Sequence, residues 1–320
     1  PAIMSVFLGD QLTAILDAIK AGNAAKATNE SIIDLGIGQL PKVLRDYTDR
    51  NRTSPFAFTG NKFEFRAIGS SASVSLANTV LSAAVADSLD ILCSEIEKES
   101  GKGVDLKVAV LTVLRKHIKE TEPIRFNGNN YSEEWEQEAA RRNLPNIRNS
   151  AYALDALVAS KNIEMLVRQR TFTRHELEAR YHTKLEQYIK AVQIEAETLI
   201  HMVETLVIPG AVGYQRRLVD TVRGLKALEE ELAGLSFASE VELLKRVTEL
   251  IELCGQKIKS LKAAMNRAEA MEDYSKCARF VADHIRPLME ELRKPVDELE
   301  VTIDDENWPL PRYSEMLFIL

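Results

Sequence analysis

From Thr173 to Pro209 apolar residues recur at helical spacing for long enough to demand one long helix and something for it to pack against. Thr173 can cap such a helix, and Glu176, three residues on, can reach back to complete a capping box. Leu177, Tyr181, Leu185, Tyr188, Val192, Leu199, Val203 and Leu206 form one stripe, with Ile189, Ala196, Ile200 and Val207 on its flank. Pro209-Gly210 is the expected stop. Further helical patterns run from about Gln215 to Leu232, from a Ser239 cap with Glu242 to about Met265, and on to Leu292 before Pro295. Short connections favour antiparallel neighbours, so the chain beyond about residue 174 is expected to be an elongated helical bundle. Met265, Met271 and Met289 then belong to its core rather than to a cofactor box.

The chain before this stretch is more varied. Residues 3 to 20 become helical in their second half and end in Ala-Gly-Asn. Ile32 to Tyr47 is irregular, broken by Gly36, Gly38 and Pro41, and is expected to be loop with short extended pieces. Gly36-Ile37-Gly38 lacks a third glycine and a following helix, so it is expected to be a turn and not a phosphate loop. Phe56 to Arg66 has the aromatic content of a strand hairpin turning at Thr59-Gly60-Asn61. Helices are expected over residues 73 to 98 and 104 to 119, and from Ser132. The fold class is therefore α+β and predominantly helical.

Composition narrows the function. With 320 residues, 45% of them hydrophobic, the chain can bury a sizeable core. Its 41 basic and 48 acidic residues are interspersed, so no strong basic field exists to grip a nucleic acid. Cys93, Cys254 and Cys277 are far apart in helical contexts, which suits small buried side chains in a reducing compartment. Ala67 to Ala86 is uncharged and long enough to span a bilayer, but serines, Asn78, Thr79 and Gly69 interrupt it, so no membrane partner and a cytoplasmic location are expected. The five histidines share no metal-binding spacing and none is assigned to a metal. Pro1-Ala2-Ile3-Met4 carries no secretory pattern and does not begin with methionine, so an internal start is expected.

One stretch carries chemistry: Asn51-Arg52-Thr53-Ser54-Pro55-Phe56-Ala57-Phe58-Thr59-Gly60-Asn61-Lys62-Phe63-Glu64-Phe65-Arg66. In a strand, alternation puts Lys62, Glu64 and Arg66 on one face and turns Phe63 and Phe65 the other way, into a core. A carboxylate flanked by cations suits a divalent metal on Glu64 beside groups that grip carboxylate or phosphate, with Arg52 as a further donor. A solvated strand face with cross-strand ion pairs fits the same pattern.

These residues carry a resemblance. Asn51-Arg52-Thr53 followed by Lys62-Phe63-Glu64-Phe65-Arg66 resembles the Asn-Arg-Ser and Arg-Ile-Glu-aliphatic-Arg pattern of glutamine synthetases, and the wording from Phe56 to Arg66 is similar to the type III branch. The similarity continues through Gly69-Ser70-Ser71, Asn78-Thr79-Val80-Leu81, Tyr131 to Trp135, Leu144-Pro145-Asn146, Leu185 to Tyr188 and Trp308-Pro309-Leu310-Pro311. The resemblance implies a glutamate–ammonia ligase acting through a γ-glutamyl phosphate. Its substrates would be glutamate, ammonia and ATP, with Mg²⁺ or Mn²⁺ as cofactor. By the motif, Glu64 would ligate metal, Arg66 would hold glutamate, Arg52 would act catalytically on phosphate oxygens, and Lys62, with Arg52, would bind nucleotide. Lys62 replaces an arginine and so loses a two-donor fork. Ala57 stands where other branches have an arginine, and Arg50 or Lys62 would have to supply that cation.

Residues 1–190 are then expected to be the C-terminal portion of a catalytic domain and residues 191–320 a helical extension. The family's other metal-binding residues match nothing in this chain, so it is expected to be inactive alone. Intact relatives imply a homo-oligomer of stacked hexameric rings. A helical assembly or regulatory module without turnover is the alternative. The apolar tail Met316 to Leu320 is expected to dock, on its own domain or on a neighbouring subunit.

Overall fold

The computed structural model describes residues 3–22, 32–33, 43–44, 54–59, 62–66, 69, 72–228 and 236–317. The Gly36-Ile37-Gly38 turn, Arg50 to Thr53, the Gly60-Asn61 tip and the last three residues lie outside them. The chain divides into two units, Pro1–Arg148 with Ala159–Leu177, and Asn149–Val158 with Glu178–Leu320.

In the first unit, strand β1 (Val6–Phe7) leads into α1 (Gly9–Ala21), which ends where the Ala-Gly-Asn signal places it. Gly22 takes φ 81°, a left-handed turn that suits a residue without Cβ, and its N–H reaches the carbonyls of Ala18 and Ile19. β2 (Ile32–Ile33) and β3 (Val43–Leu44) are the short extended pieces, paired antiparallel. β4 (Phe56–Phe58) and β5 (Phe63–Phe65) form the expected hairpin. The Thr59 N–H donates to the Lys62 carbonyl at 2.8 Å and the Arg66 N–H to that of Pro55 at 2.7 Å. β1 lies parallel to β4, a pairing across some fifty residues that periodicity cannot foresee, and the sheet order is β1-β4-β5.

Two helices follow on either side of Gly101-Lys102-Gly103, α2 (Ser75–Ser100) and α3 (Leu106–Glu120). Glu95 of α2 pairs with Lys116 at 2.7 Å and His117 at 3.1 Å of α3. The Lys116 hydrogen bond, then that of His117, holds the Glu95 carboxyl below its usual range. In α4 (Glu133–Arg141), Ser132 caps the helix and Trp135 enters a small core with Ile3 and Ala139. Phe126 stacks on Trp135 with ring centroids 3.8 Å apart.

Two single-turn helices, α5 (Ser150–Ala153) and α6 (Asp155–Val158), precede α7 (Ser160–Arg168). Arg168 forks onto Asp87 with both bonds at 2.8 Å, and Gln169 adds a third at 3.1 Å. The Gln169 bond, then the Arg168 pair, lowers the Asp87 carboxyl and fixes α7 on α2. The rest of α2 is unusually bare. It is long and apolar enough to cross a membrane, yet only 11% of its most apolar window is buried.

Helix α8 (Arg174–Met202) begins with the expected capping box: Thr173 N–H and Oγ1 donate to Glu176 Oε2 at 2.7 and 2.9 Å, and Glu176 N–H donates to Thr173 Oγ1 at 3.2 Å. Within the second unit its buried line is Leu185, Ile189, Val192, Ala196, Ile200, Val203 and Val207. Leu185, Val192 and Val203 of the expected stripe are in this seam, together with all four residues expected on the flank, and Leu206 is 39% exposed. Leu185, Ala196 and Val207 are eleven residues apart, as are Ile189, Ile200 and Ala211. An eleven-residue repeat follows about 3.67 residues per turn, so it drifts off an α-helix more slowly than the seven-residue spacing used to draw the stripe.

Pro209 does not end this helix. A π-helical turn, Val203–Val207, carries it into α9 (Ile208–Ala227). Proline offers no N–H and crowds the carbonyl four residues back, and widening the turn before it relieves both problems. After α10 (Ala238–Glu269) and α11 (Tyr274–Phe280), the same device, Val281–Ile285, precedes Pro287 in α12 (Arg286–Thr302). Pro295 also lies inside α12, where a break was expected. Helix α10 starts at Ala238 with no side-chain cap, so Ser239 does not play the capping part assigned to it.

The bundle core gathers α8 to α12 around Val247, Leu250, Cys254, Ile258, Leu261 and Leu292, with Met265 buried and Met271 and Met289 packed against it, as expected. Cys254 and Cys277 are buried, but Cys93 is exposed, which corrects the expectation of three buried thiols. Burial pushes the Cys254 thiol up to about 11. In the last short helix, α13 (Tyr313–Leu317), Met316 and Leu317 are 57% and 75% exposed, so these two tail residues do not dock on their own unit.

Gly210 is a contact notch rather than a breaker: a Cβ there would sit 2.4 Å from the Asn307 carbonyl oxygen and 3.2 Å from Pro309. Gly210→Ala is expected to cost about 1–3 kcal/mol by overpacking. Gly224→Ala, in the same helix with nothing within 4 Å, is expected to stabilise by up to about 1 kcal/mol, both read by urea denaturation. At neutral pH iodoacetamide should label Cys93 in the folded protein and leave Cys254 and Cys277 unmodified until denaturant is added.

Candidate active site

The hairpin register decides which side chains can act together. Phe56 faces Phe65, Ala57 faces Glu64 and Phe58 faces Phe63. Alternation then places the four phenylalanines on one side and Ala57, Lys62, Glu64 and Arg66 on the other. Phe63 stacks on Phe56 at 5.1 Å and tilts against Phe58 at 5.3 Å. The aromatic side is not a closed core, because Phe63 is 47% exposed, contrary to the expectation that it points inward. Phe63 lies on β5, the edge strand of the β1-β4-β5 sheet.

On the polar side the structure brings three of the four expected site residues together. Glu64 Oε1 lies 3.4 Å from Lys62 Nζ, and Oε2 lies 3.3 Å from Arg66 Nη2. The side chains are 66%, 39% and 23% exposed for Lys62, Glu64 and Arg66. Ion pairs this open contribute about 0–1 kcal/mol each, so they align the carboxylate without committing it. Another cation or anion can displace either partner. Arg52 and Arg50 lie outside the described residues.

Ala57 is fully buried and directly opposite Glu64. The space next to the carboxylate on β4 therefore holds a methyl group, and Lys62 is the nearest cation from the turn side. Glu64 can offer one or two oxygens to a hard divalent ion, which usually takes six oxygen ligands. Among the described residues no group of three histidine, cysteine, aspartate or glutamate side chains could complete such a site. Glu64 can serve a metal as one ligand of several.

Sequence reading missed the groups beneath this hairpin. Ser5, Ser54 and Asn130 are 0%, 2% and 6% exposed, which makes them three of the few buried polar residues. Ser5 Oγ is 3.0 Å from Ser54 Oγ and donates to Asn130 Oδ1 at 3.1 Å. No local pattern links residues 125 positions apart; only the unusual Asn127, Asn129 and Asn130 cluster could have drawn notice. A nearby cleft of about 530 Å³ is lined by Asp17, Lys119, Glu122, Arg125 and Arg142, and there Arg125 pairs with Asp17 at 3.3 Å and Glu122 at 3.9 Å.

A mixed sheet edge bearing a carboxylate between two cations is the geometry against which known proteins can be compared. Residues 109–226 match the family model of the glutamine synthetase C-terminal domain. The chain is similar to a glutamine synthetase of Bacteroides fragilis (strain YCH46), with 41% identity over 99% of this chain and 44% of that relative. It is also 34% identical to the type-3 glutamine synthetase of Dictyostelium discoideum, over 100% of this chain and 43% of the relative. A Butyrivibrio fibrisolvens glutamine synthetase gives 34% identity over 45% of its length. The resemblance to type III glutamine synthetases is thus borne out along the whole chain, which spans less than half the length of these relatives.

An arginine introduced at Ala57 would have to enter a site with no exposure, beside Glu64. Ala57→Arg is expected to cost about 1–3 kcal/mol in thermal or urea unfolding, whereas Lys62→Arg, on a 66% exposed side chain, should change stability by under about 0.5 kcal/mol.

Proposed function

We propose that this chain forms part of an ATP-dependent glutamate–ammonia ligase, with the Glu64 hairpin as one wall of its active site. The observation that carries the proposal is the placement of Glu64 between Lys62 and Arg66 on the strand that matches the glutamine synthetase pattern, in a chain similar to those enzymes throughout. In this reaction the side-chain carboxylate of glutamate attacks the terminal phosphorus of ATP and ADP leaves. Ammonia then attacks the acyl carbon, the C–N bond forms, and inorganic phosphate departs.

Lys62 and Arg66 each have a part that their position suits. Arg66 is the least exposed of the three and has a planar fork suited to the carboxylate of bound glutamate. Lys62, at the turn end of the hairpin and 66% exposed, offers a mobile point charge to nucleotide phosphate. Arg52 would bind nucleotide with Lys62 and stabilise charge on the transferring phosphoryl group. Glu64 would hold Mg²⁺ or Mn²⁺ as one carboxylate ligand of several. The bound ion supplies neutralisation of phosphate charge. The remaining ligands would come from the rest of a longer polypeptide, so the chain is inactive alone.

On this proposal residues 1–190 complete a catalytic domain and 191–320 form a helical extension. The bare apolar surface of α2, with Val85 and Leu89 53% and 55% exposed, supports cover by further parts of the protein. Stacked rings in the cytoplasm would be the assembled form. Ammonia-dependent ADP release should be measured on the protein extended to the length of its relatives, with glutamate and Mg²⁺. Glu64→Ala is expected to lower turnover by at least about 100-fold without unfolding the protein. A folded, metal-loaded parent without turnover would instead favour a helical assembly module.

A further inference from the structure

We infer that the buried hydrogen-bonded chain Ser54–Ser5–Asn130 is a positioning device for the Glu64 hairpin, an inference that rests on the ligase proposal for its catalytic consequence. Each serine hydroxyl has one proton. Ser5 gives its proton to Asn130 Oδ1 at 3.1 Å, so the 3.0 Å contact between the two hydroxyls must be donated by Ser54. The chain therefore has one direction, from Ser54 through Ser5 to Asn130. With the same proton Ser54 Oγ also donates to the Phe126 carbonyl at 3.5 Å, a longer and weaker bond to the same loop.

The three residues come from separate parts of the first unit. Ser54 is two positions before β4 and two after Arg52, Ser5 immediately precedes β1, and Asn130 ends the loop that begins at Phe126. That loop is tied to β1 along its length: Phe126 N–H donates to the Val6 carbonyl at 3.0 Å, and Asn127 Oδ1 accepts from Leu8 N–H at 3.1 Å. Phe126 is in turn stacked on the buried Trp135. Ser54 is thus joined through β1 and the loop to the core of α4, while β4, which it precedes, pairs Ala57 with Glu64. A hairpin of two three-residue strands does not hold its own geometry in water. Buried and satisfied polar groups are well suited to specify one arrangement, because any slip leaves a donor or acceptor unpaired away from water. Ser5, Ser54 and Asn130 do not touch substrate; they act through the position of β4.

The test has two readouts. In the 320-residue chain, Ser54→Ala is expected to speed amide exchange of Phe63 to Arg66 by roughly tenfold or more while leaving the α10 amides unchanged. Ser5→Ala should do the same, and the double variant should be no worse than Ser5→Ala alone, because one chain is being cut twice. In the extended enzyme, the same variants should lower kcat by roughly tenfold or more with KM for ATP within about twofold, as expected for misalignment of the reacting groups. Asn130→Ala serves if Ser5→Ala does not fold. Unchanged hairpin exchange, or additive effects of the two serine variants, would overturn the positioning role. Wild-type enzyme without turnover would sink the ligase proposal alone, since the exchange experiment still decides the anchoring.

Discussion

Val6 and Phe7 lie parallel to Phe56 and Ala57, and through that short ladder the candidate site is attached to the rest of its unit. A parallel pair cannot be closed by a tight turn; its strands are brought together by whatever packs around them. Here that work falls to the loop from Phe126 to Asn130, which bonds β1 on one side and meets Trp135 on the other. Glu64 inherits its place from these contacts, because its own ion pairs are too exposed to impose one. The hairpin is held by backbone pairing and buried polar groups, and its charged side chains lie in exposed ion pairs on the polar face.

The second unit follows a different rule. Its helices are held by an apolar seam, and the two π-helical turns let prolines occur in that framework without interrupting it. In both places the wide turn comes just before the proline, which is where a missing N–H and a displaced carbonyl must be accommodated. At Gly210 the missing side chain has a further use, since the backbone at Asn307 comes too close for any Cβ. Trp308 and Pro309 can then close over the helix.

Helix α2 is anchored on one side and apolar and exposed elsewhere. Arg168 and Gln169 secure Asp87 on its inner side, yet Val74, Val85 and Leu89 stay in water. Apolar exposure of this extent usually marks a contact. The relatives are more than twice as long as the stretch they share with this chain.

Sequence alone determined much about this protein wherever the governing physics is local. The capping box at Thr173, the end of α1 at Gly22 and the hairpin between Phe56 and Arg66 depend on residues only a few positions apart, and all three are present. The motif around Glu64 was legible for the same reason, since charges alternating with phenylalanines define two faces in any strand. Tertiary structure decided the rest. It set the seam of α8 on Ile189, Ala196 and Ile200, carried helices through Pro209 and Pro295, and left Cys93 and Phe63 exposed. It also joined Ser5 and Ser54 to Asn130 across the unit. Those outcomes depend on which distant groups exclude water or complete a hydrogen bond, and neither can be inferred from spacing along the chain.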